Sequence, residues 1–112
     1  MKMTETISDK VVVLELSGKI MGGPDATLLT EKLHQLIESG KTQVIVDLSQ
    51  VSWMNSSGLG ILIGGLTTMR HNGGDLKLAN ITDKIQSLLM ITKLLSVFET
   101  YETVDKAIDS FK

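Results

Sequence analysis

The chain has 112 residues, 42% of them hydrophobic and 21% charged, with a formal net charge of −2 and no cysteine. These values fit one globular domain spanning residues 1–112 around a single core, and they argue against disorder. They exclude disulfide scaffolds, thiolate metal sites and cysteine nucleophiles, and they lack the basic excess that direct nucleic-acid binding uses.

Met1 to Lys10 is polar and lacks the apolar stretch of a signal peptide. The longest apolar run, Gly58 to Leu66, is too short for a bilayer, which takes about 20 residues. A cytoplasmic chain with no membrane contact of its own is the expectation.

Met3 to Ile7 alternates weakly and reads as an edge strand, followed by turn chemistry at Ser8-Asp9-Lys10. Val11 to Leu16 is short and rich in β-branched residues, so it reads as a strand paired with the first in a hairpin. Gly18 to Gly23 reads as a connection. Pro24 suits a first helical turn, and Asp25 places negative charge where the helix dipole favours it. Leu28, Leu29, Leu33, Leu36 and Ile37 follow at helical spacing, with Gly40 as the stop. Gln43 to Leu48 is nearly continuous in apolar residues, as in a strand covered on both faces.

Ser49 to Asn55 reads as a loop, with Ser56 or Ser57 capping a helix that runs to His71 and ends at Asn72-Gly73-Gly74. Leu76 to Ala79 is a short strand. Thr82 to Leu95 is an amphipathic helix with Ile85, Leu88, Leu89, Ile91 and Leu95 apolar. Val97 to Tyr101 is a last strand, and Thr103 caps a helix that buries Val104, Ala107, Ile108 and Phe111. Strands and helices alternate after the hairpin. That order predicts an α/β fold with a mixed, mostly parallel sheet and packed helices.

The stretch from Asp47 to Gly60 joins a strand to a helix, and open parallel sheets place sites beyond the carboxyl ends of their strands. A helix start offers unpaired amides and a positive dipole end, which suit a phosphate on a ligand or on a serine. Ser56 is therefore either a plain cap or a phosphate acceptor. Gly58 and Gly60 keep the first turn open to a partner's backbone, at about 1 kcal/mol each in helix stability. Asp47 either tunes Ser56 or fixes the loop, and Asx chemistry favours the loop. Trp53 either covers the core or anchors a partner.

Other chemistry finds little purchase. His34 lies on a polar helix face and His71 in a last helical turn, too few ligands for a metal. A serine hydrolase needs a base beside its nucleophile, and no Gly-x-Ser-x-Gly elbow is present. Gly58-Leu59-Gly60 fails the dinucleotide fingerprint because residue 63 is Ile. No catalytic residue, metal or cofactor is expected.

Asp47-Leu48-Ser49, with Val51-Ser52-Trp53-Met54-Asn55-Ser56-Ser57-Gly58-Leu59-Gly60, closely resembles the signature of STAS domains. That family holds bacterial anti-sigma factor antagonists and the tails of sulphate transporters. The resemblance extends over nearly the whole chain, from Leu16-Ser17-Gly18-Lys19-Ile20 to the closing helix at Ala107-Ile108. It implies that Ser56, the first serine of the core, is a phosphorylation site. It implies that Asp47, Ser52, Trp53, Met54, Asn55, Ser57, Gly58, Leu59, Gly60 and Met21 form the switch loop and partner-binding segment. The unmodified form would bind an anti-sigma factor, often a serine kinase, and free the sigma factor, and a serine phosphatase would reset it. Two positions depart from the family pattern: Asn55 stands where Asp usually precedes the phosphoserine, and Met21 where Asp often follows the first strand region. A scaffold role in a larger signalling assembly, or a place in an anion transporter, is the alternative.

Overall fold

Val11 to Leu16 and Gln43 to Leu48 carry apolar residues at adjacent positions, so both faces of their sheet need covering by helices. The computed structural model, which describes all residues 1–112, has that arrangement. Its elements run β1 (Lys2–Ser8), β2 (Val11–Ile20), α1 (Pro24–Glu38), β3 (Gln43–Met54), α2 (Ser56–His71), β4 (Asp75–Ala79), α3 (Asp83–Ile91), β5 (Thr100–Tyr101) and α4 (Val104–Ser110). The five strands lie in the order β1-β2-β3-β4-β5, with β1 antiparallel to β2 and every other pair parallel. The expected mixed, mostly parallel α/β fold is the one observed.

The side-chain period of two decides which helix covers which face. Val12, Leu14, Leu16, Val44, Val46, Leu48, Leu76 and Leu78 point to one face. There they meet Leu29, Leu33 and Leu36 of α1, Leu59, Leu62, Leu66 and Met69 of α2, and Ile85 and Leu89 of α3. Val11, Val13, Ile45 and Ala79 point to the other face and meet Ala107 of α4. Lys77 shares that second face and is buried. Its ammonium donates to the Ser110 hydroxyl at 2.8 Å and lies 4.1 Å from the centre of the Phe111 ring, so a charged residue helps seat α4.

Four boundaries differ from the sequence reading. The segment Ser49 to Met54 is the second half of β3, and β2 continues through Gly18 to Ile20. Glu15 faces Asp47, but four residues on, Lys19 faces Trp53, six residues beyond Asp47. The extra β3 residues form bulges that interrupt the apolar alternation, and Ser49, Gln50 and Ser52 then look like loop. In the third case α3 stops at Ile91, where the Thr92 hydroxyl bonds back to the Leu88 carbonyl at 2.7 Å. The strand expected over Val97 to Tyr101 shrinks to Thr100–Tyr101.

Helix α2 approaches the sheet through its first turn. A Cβ at Gly58 would overlap the carbonyl oxygen of Ile20 at the end of β2, whereas one at Gly60 would meet nothing within 4 Å. The close approach at Gly58 is thus used inside the molecule, not by a partner. The two glycines have opposite expected substitutions. Gly60→Ala should raise stability by about 0.5–1 kcal/mol, the ordinary gain of Ala over Gly in a helix. Gly58→Ala should lower it by about 1–3 kcal/mol or more, because backbone must move apart. Urea titration of both variants checks this, and equal effects of either sign would contradict the packing described.

Candidate functional site

The bulged end of β3 brings Met54 opposite Ile20, and α2 starts two residues later. The turn between them is built on Asn55. Its backbone N–H donates to the Ile20 carbonyl at 3.4 Å, and its carbonyl accepts from Leu59 at 2.9 Å. Its side-chain Oδ1 accepts from the Gly58 amide at 2.8 Å, so Asn55, not Ser56 or Ser57, caps α2. Three good caps stand in a row here. The one that wins is the one that puts Gly58, the only residue able to lie on Ile20, at the third helical position.

Both serines are thereby released from capping. Ser57 packs against the loop that follows β2, since a Cβ on Gly22 would lie 3.0 Å from the Ser57 Cβ. Gly22 has φ +94°, which favours glycine on backbone grounds as well. Ser56, the first residue of the helix, is exposed, as is Ser57 beside it. The first four amides of a helix lack intrahelical acceptors, and Asn55 takes only that of Gly58 with its side chain. The amides of Ser56 and Ser57 remain directed out of the helix start, where the dipole favours negative charge.

The same end of the molecule carries exposed apolar surface. Trp53 is 48% exposed and Met21 46%. Trp53 and Met54 from β3, with Ile85, Leu88 and Ile91 from α3, line a groove of about 430 Å³ rimmed by Ser52, Asp83, Lys84 and Ser87. Ile91 is 80% exposed, so it belongs to this surface and not to the core that its helical spacing suggested. The α3 contribution was hidden in the sequence because an exposed apolar residue next to a core stripe extends the same periodic pattern.

The remaining expected residues divide by position. Met54, Gly58 and Leu59 are buried and act as supports. Gly60 is exposed on the outer side of the first turn of α2. The Ser52 hydroxyl donates to the Gly18 carbonyl at 3.3 Å and ties β3 to β2 in the bulged stretch. Asp47 is not part of the cluster. It lies within β3 opposite Ala79, seven residues before Met54, roughly 20 Å along the strand at the usual rise. Its carboxylate accepts from the Ser49 amide at 3.0 Å and from the Asn80 side chain at 3.2 Å, so its role is to shape backbone. Asp25, which sequence reasoning used only as a dipole partner, accepts from the Met21 amide at 3.2 Å and so holds the loop beside Ser57. His34 and His71 are both exposed, no group of three or more His, Cys, Asp and Glu is placed to hold a metal, and no helix is long and apolar enough to cross a membrane.

Comparison with known proteins gives a consistent result. The family model described as STAS domain matches residues 2–107. The chain is similar to the anti-sigma-B factor antagonist of Bacillus subtilis (strain 168), at 36% identity over 74 residues covering 66% of this chain and 67% of that protein. It is also similar to the anti-sigma-B factor antagonist of Staphylococcus aureus (strain COL), at 32% identity over 74 residues covering 66% and 68%. Among solved structures it superposes on the Bacillus cell fate determinant SpoIIAA in its phosphorylated form, with TM-score 0.76, 21% identity and coverage of 99% of this chain and 100% of that one. An anti-sigma factor antagonist from Mycobacterium paratuberculosis superposes with TM-score 0.80, 23% identity and coverage of 97% and 92%. These structural likenesses are likenesses of fold. With the family model spanning the sheet, the Asn55 turn and most of α4, this protein belongs to the STAS domain family.

Proposed function

We propose that the chain is an anti-sigma factor antagonist whose unphosphorylated form binds an anti-sigma factor and frees the sigma factor, and that phosphorylation of Ser56 switches it off. The observation that carries this reading is Ser56 itself: an exposed hydroxyl at the first position of α2, relieved of capping by Asn55. The curated relatives named above are anti-sigma-B factor antagonists, which favours this reading over a scaffold or transporter module. The partner is an anti-sigma factor with serine kinase activity, a serine phosphatase resets the switch, and both act in the cytoplasm. The protein works by binding and is not itself the enzyme.

The switch follows from charge. A phosphoserine carries about −1.5 to −2 charge near neutral pH. At the start of α2 that charge meets the positive end of the dipole, which is favourable by roughly 0.3–1 kcal/mol. The modified domain therefore stays folded. A partner surface that closes over a neutral Ser56 must instead bury an unpaired anion, which costs several kcal/mol. The exposed Trp53 and the apolar groove beside it supply the anchor for that partner, in the manner of an interface hot spot.

Ser56→Asp should shift the melting temperature by no more than a few degrees, while affinity for the anti-sigma kinase falls at least about tenfold, or about 1.4 kcal/mol. Calorimetry and titration on the same preparation check both halves. Treatment with the kinase and ATP, followed by peptide mass spectrometry, should place the phosphate on Ser56, and Ser57→Ala should still be modified. Phosphate on Ser57 alone would refute the assignment. Modification of Ser56 with unchanged affinity would end the switch.

Trp53→Ala should leave the circular dichroism spectrum and melting temperature nearly unchanged while weakening the partner about tenfold or more. Loss of folding in that variant would make Trp53 a core residue and remove it from the interface.

A further inference from the structure

We infer that Asn55 is a positioning residue whose side-chain amide clips the loop Met21–Gly23 to the first turn of α2, so that Met21 and Ser56 form one fixed surface. A helix cap needs only an acceptor, and Ser, Thr or Asp would serve. Asn55 uses its acceptor on the Gly58 amide at 2.8 Å and, in addition, donates from Nδ2 to the Met21 carbonyl at 3.4 Å. An ionised carboxylate has no donor and would face that carbonyl with like polarity.

The loop needs such a restraint. Gly22 and Gly23 both have positive φ, at +94° and +59°, and glycines in that region are free to leave it. Gly23 stands at the cap position of α1 with no side chain to bond the helix start. Apart from Asn55, the loop is held to the start of α1 by the Asp25 carboxylate on the Met21 amide and by the Gly22 and Gly23 carbonyls, which accept from the Asp25 and Ala26 amides at 3.3 and 3.0 Å, and it touches Ser57 through Gly22. Only the Asn55 side chain joins the loop to the α2 start by a hydrogen bond. The clip brings a partner-facing residue, Met21, into register with a modifiable one. Its consequence for phosphorylation rests on the reading of Ser56 given above, whereas the clip itself does not.

Substitution separates the two bonds. Asn55→Asp keeps the cap and loses the donor, and Asn55→Ala loses both. Backbone ¹⁵N relaxation and amide exchange of the full chain read them independently. In Asn55→Ala, exchange at Gly58 should rise about fivefold, the equivalent of a lost cap, and in Asn55→Asp it should stay near the parent value. The order parameters of Met21, Gly22 and Gly23 should drop in both variants, from the rigid range near 0.85 towards about 0.6. A loop in Asn55→Asp as rigid as in the parent overturns the clip, and that variant decides alone if Asn55→Ala does not fold. Absence of phosphorylation in the parent chain would instead contradict the function proposed for Ser56, leaving the relaxation result to judge the clip.

Discussion

The contact between the first turn of α2 and the end of β2 is the constraint on which the site depends. Gly58 lies against the Ile20 carbonyl so closely that no side chain fits between them. That contact fixes where α2 begins, and therefore which residue caps it and which residue stands free. Asn55 supplies the cap, and both serines are left exposed at the positive end of the dipole, Ser57 against the Gly22 loop and Ser56 at the first helical position. A helix starting one residue earlier or later would rotate the serines by about 100°, the turn per residue of an α-helix, and give each a different environment.

The bulges in β3 are the second element of the same construction. They carry the strand past the point where its pairing with β4 ends, at Asp47 opposite Ala79, and bring Met54 opposite Ile20. This extension separates two roles that the sequence ran together. Asp47 organises the end of β4 through Asn80, while Trp53 and Ser56 are exposed at the far end of β3. The apolar groove between β3 and α3 lies on that same end, so the surface around Ser56 combines exposed serine hydroxyls with apolar side chains. Such a surface tolerates a neutral serine and resists a buried anion.

Much of this was readable in the residues. The buried strands announced themselves through runs such as Val11-Val12-Val13-Leu14 and Val44-Ile45-Val46, and α1 through Pro24, Asp25 and its leucine spacing. Thr103 was legible as a cap because one candidate stood alone, and its hydroxyl accepts from the Lys106 amide. The cap of α2 was not, because Asn55, Ser56 and Ser57 are all good caps and only a tertiary contact, Gly58 on Ile20, chooses among them. The bulged half of β3 was lost for a related reason: two extra residues destroy the period on which strand recognition rests. Ile91 was misplaced because periodicity marks a stripe and does not say where the stripe leaves the core. The legible parts are those set by local pattern, and the missed parts are those set by one element pressing on another.

The central claim is that phosphate at Ser56 changes the surface that a partner meets and leaves the domain beneath it unaltered. The most direct measurement is an amide chemical-shift comparison of the unmodified chain with a chain carrying phosphoserine at position 56. The account predicts shifts confined to Met21–Gly23, to Trp53–Gly60 and to the groove side of α3. Shifts spreading through β4, β5 and α4 would show a rearranged fold and contradict it.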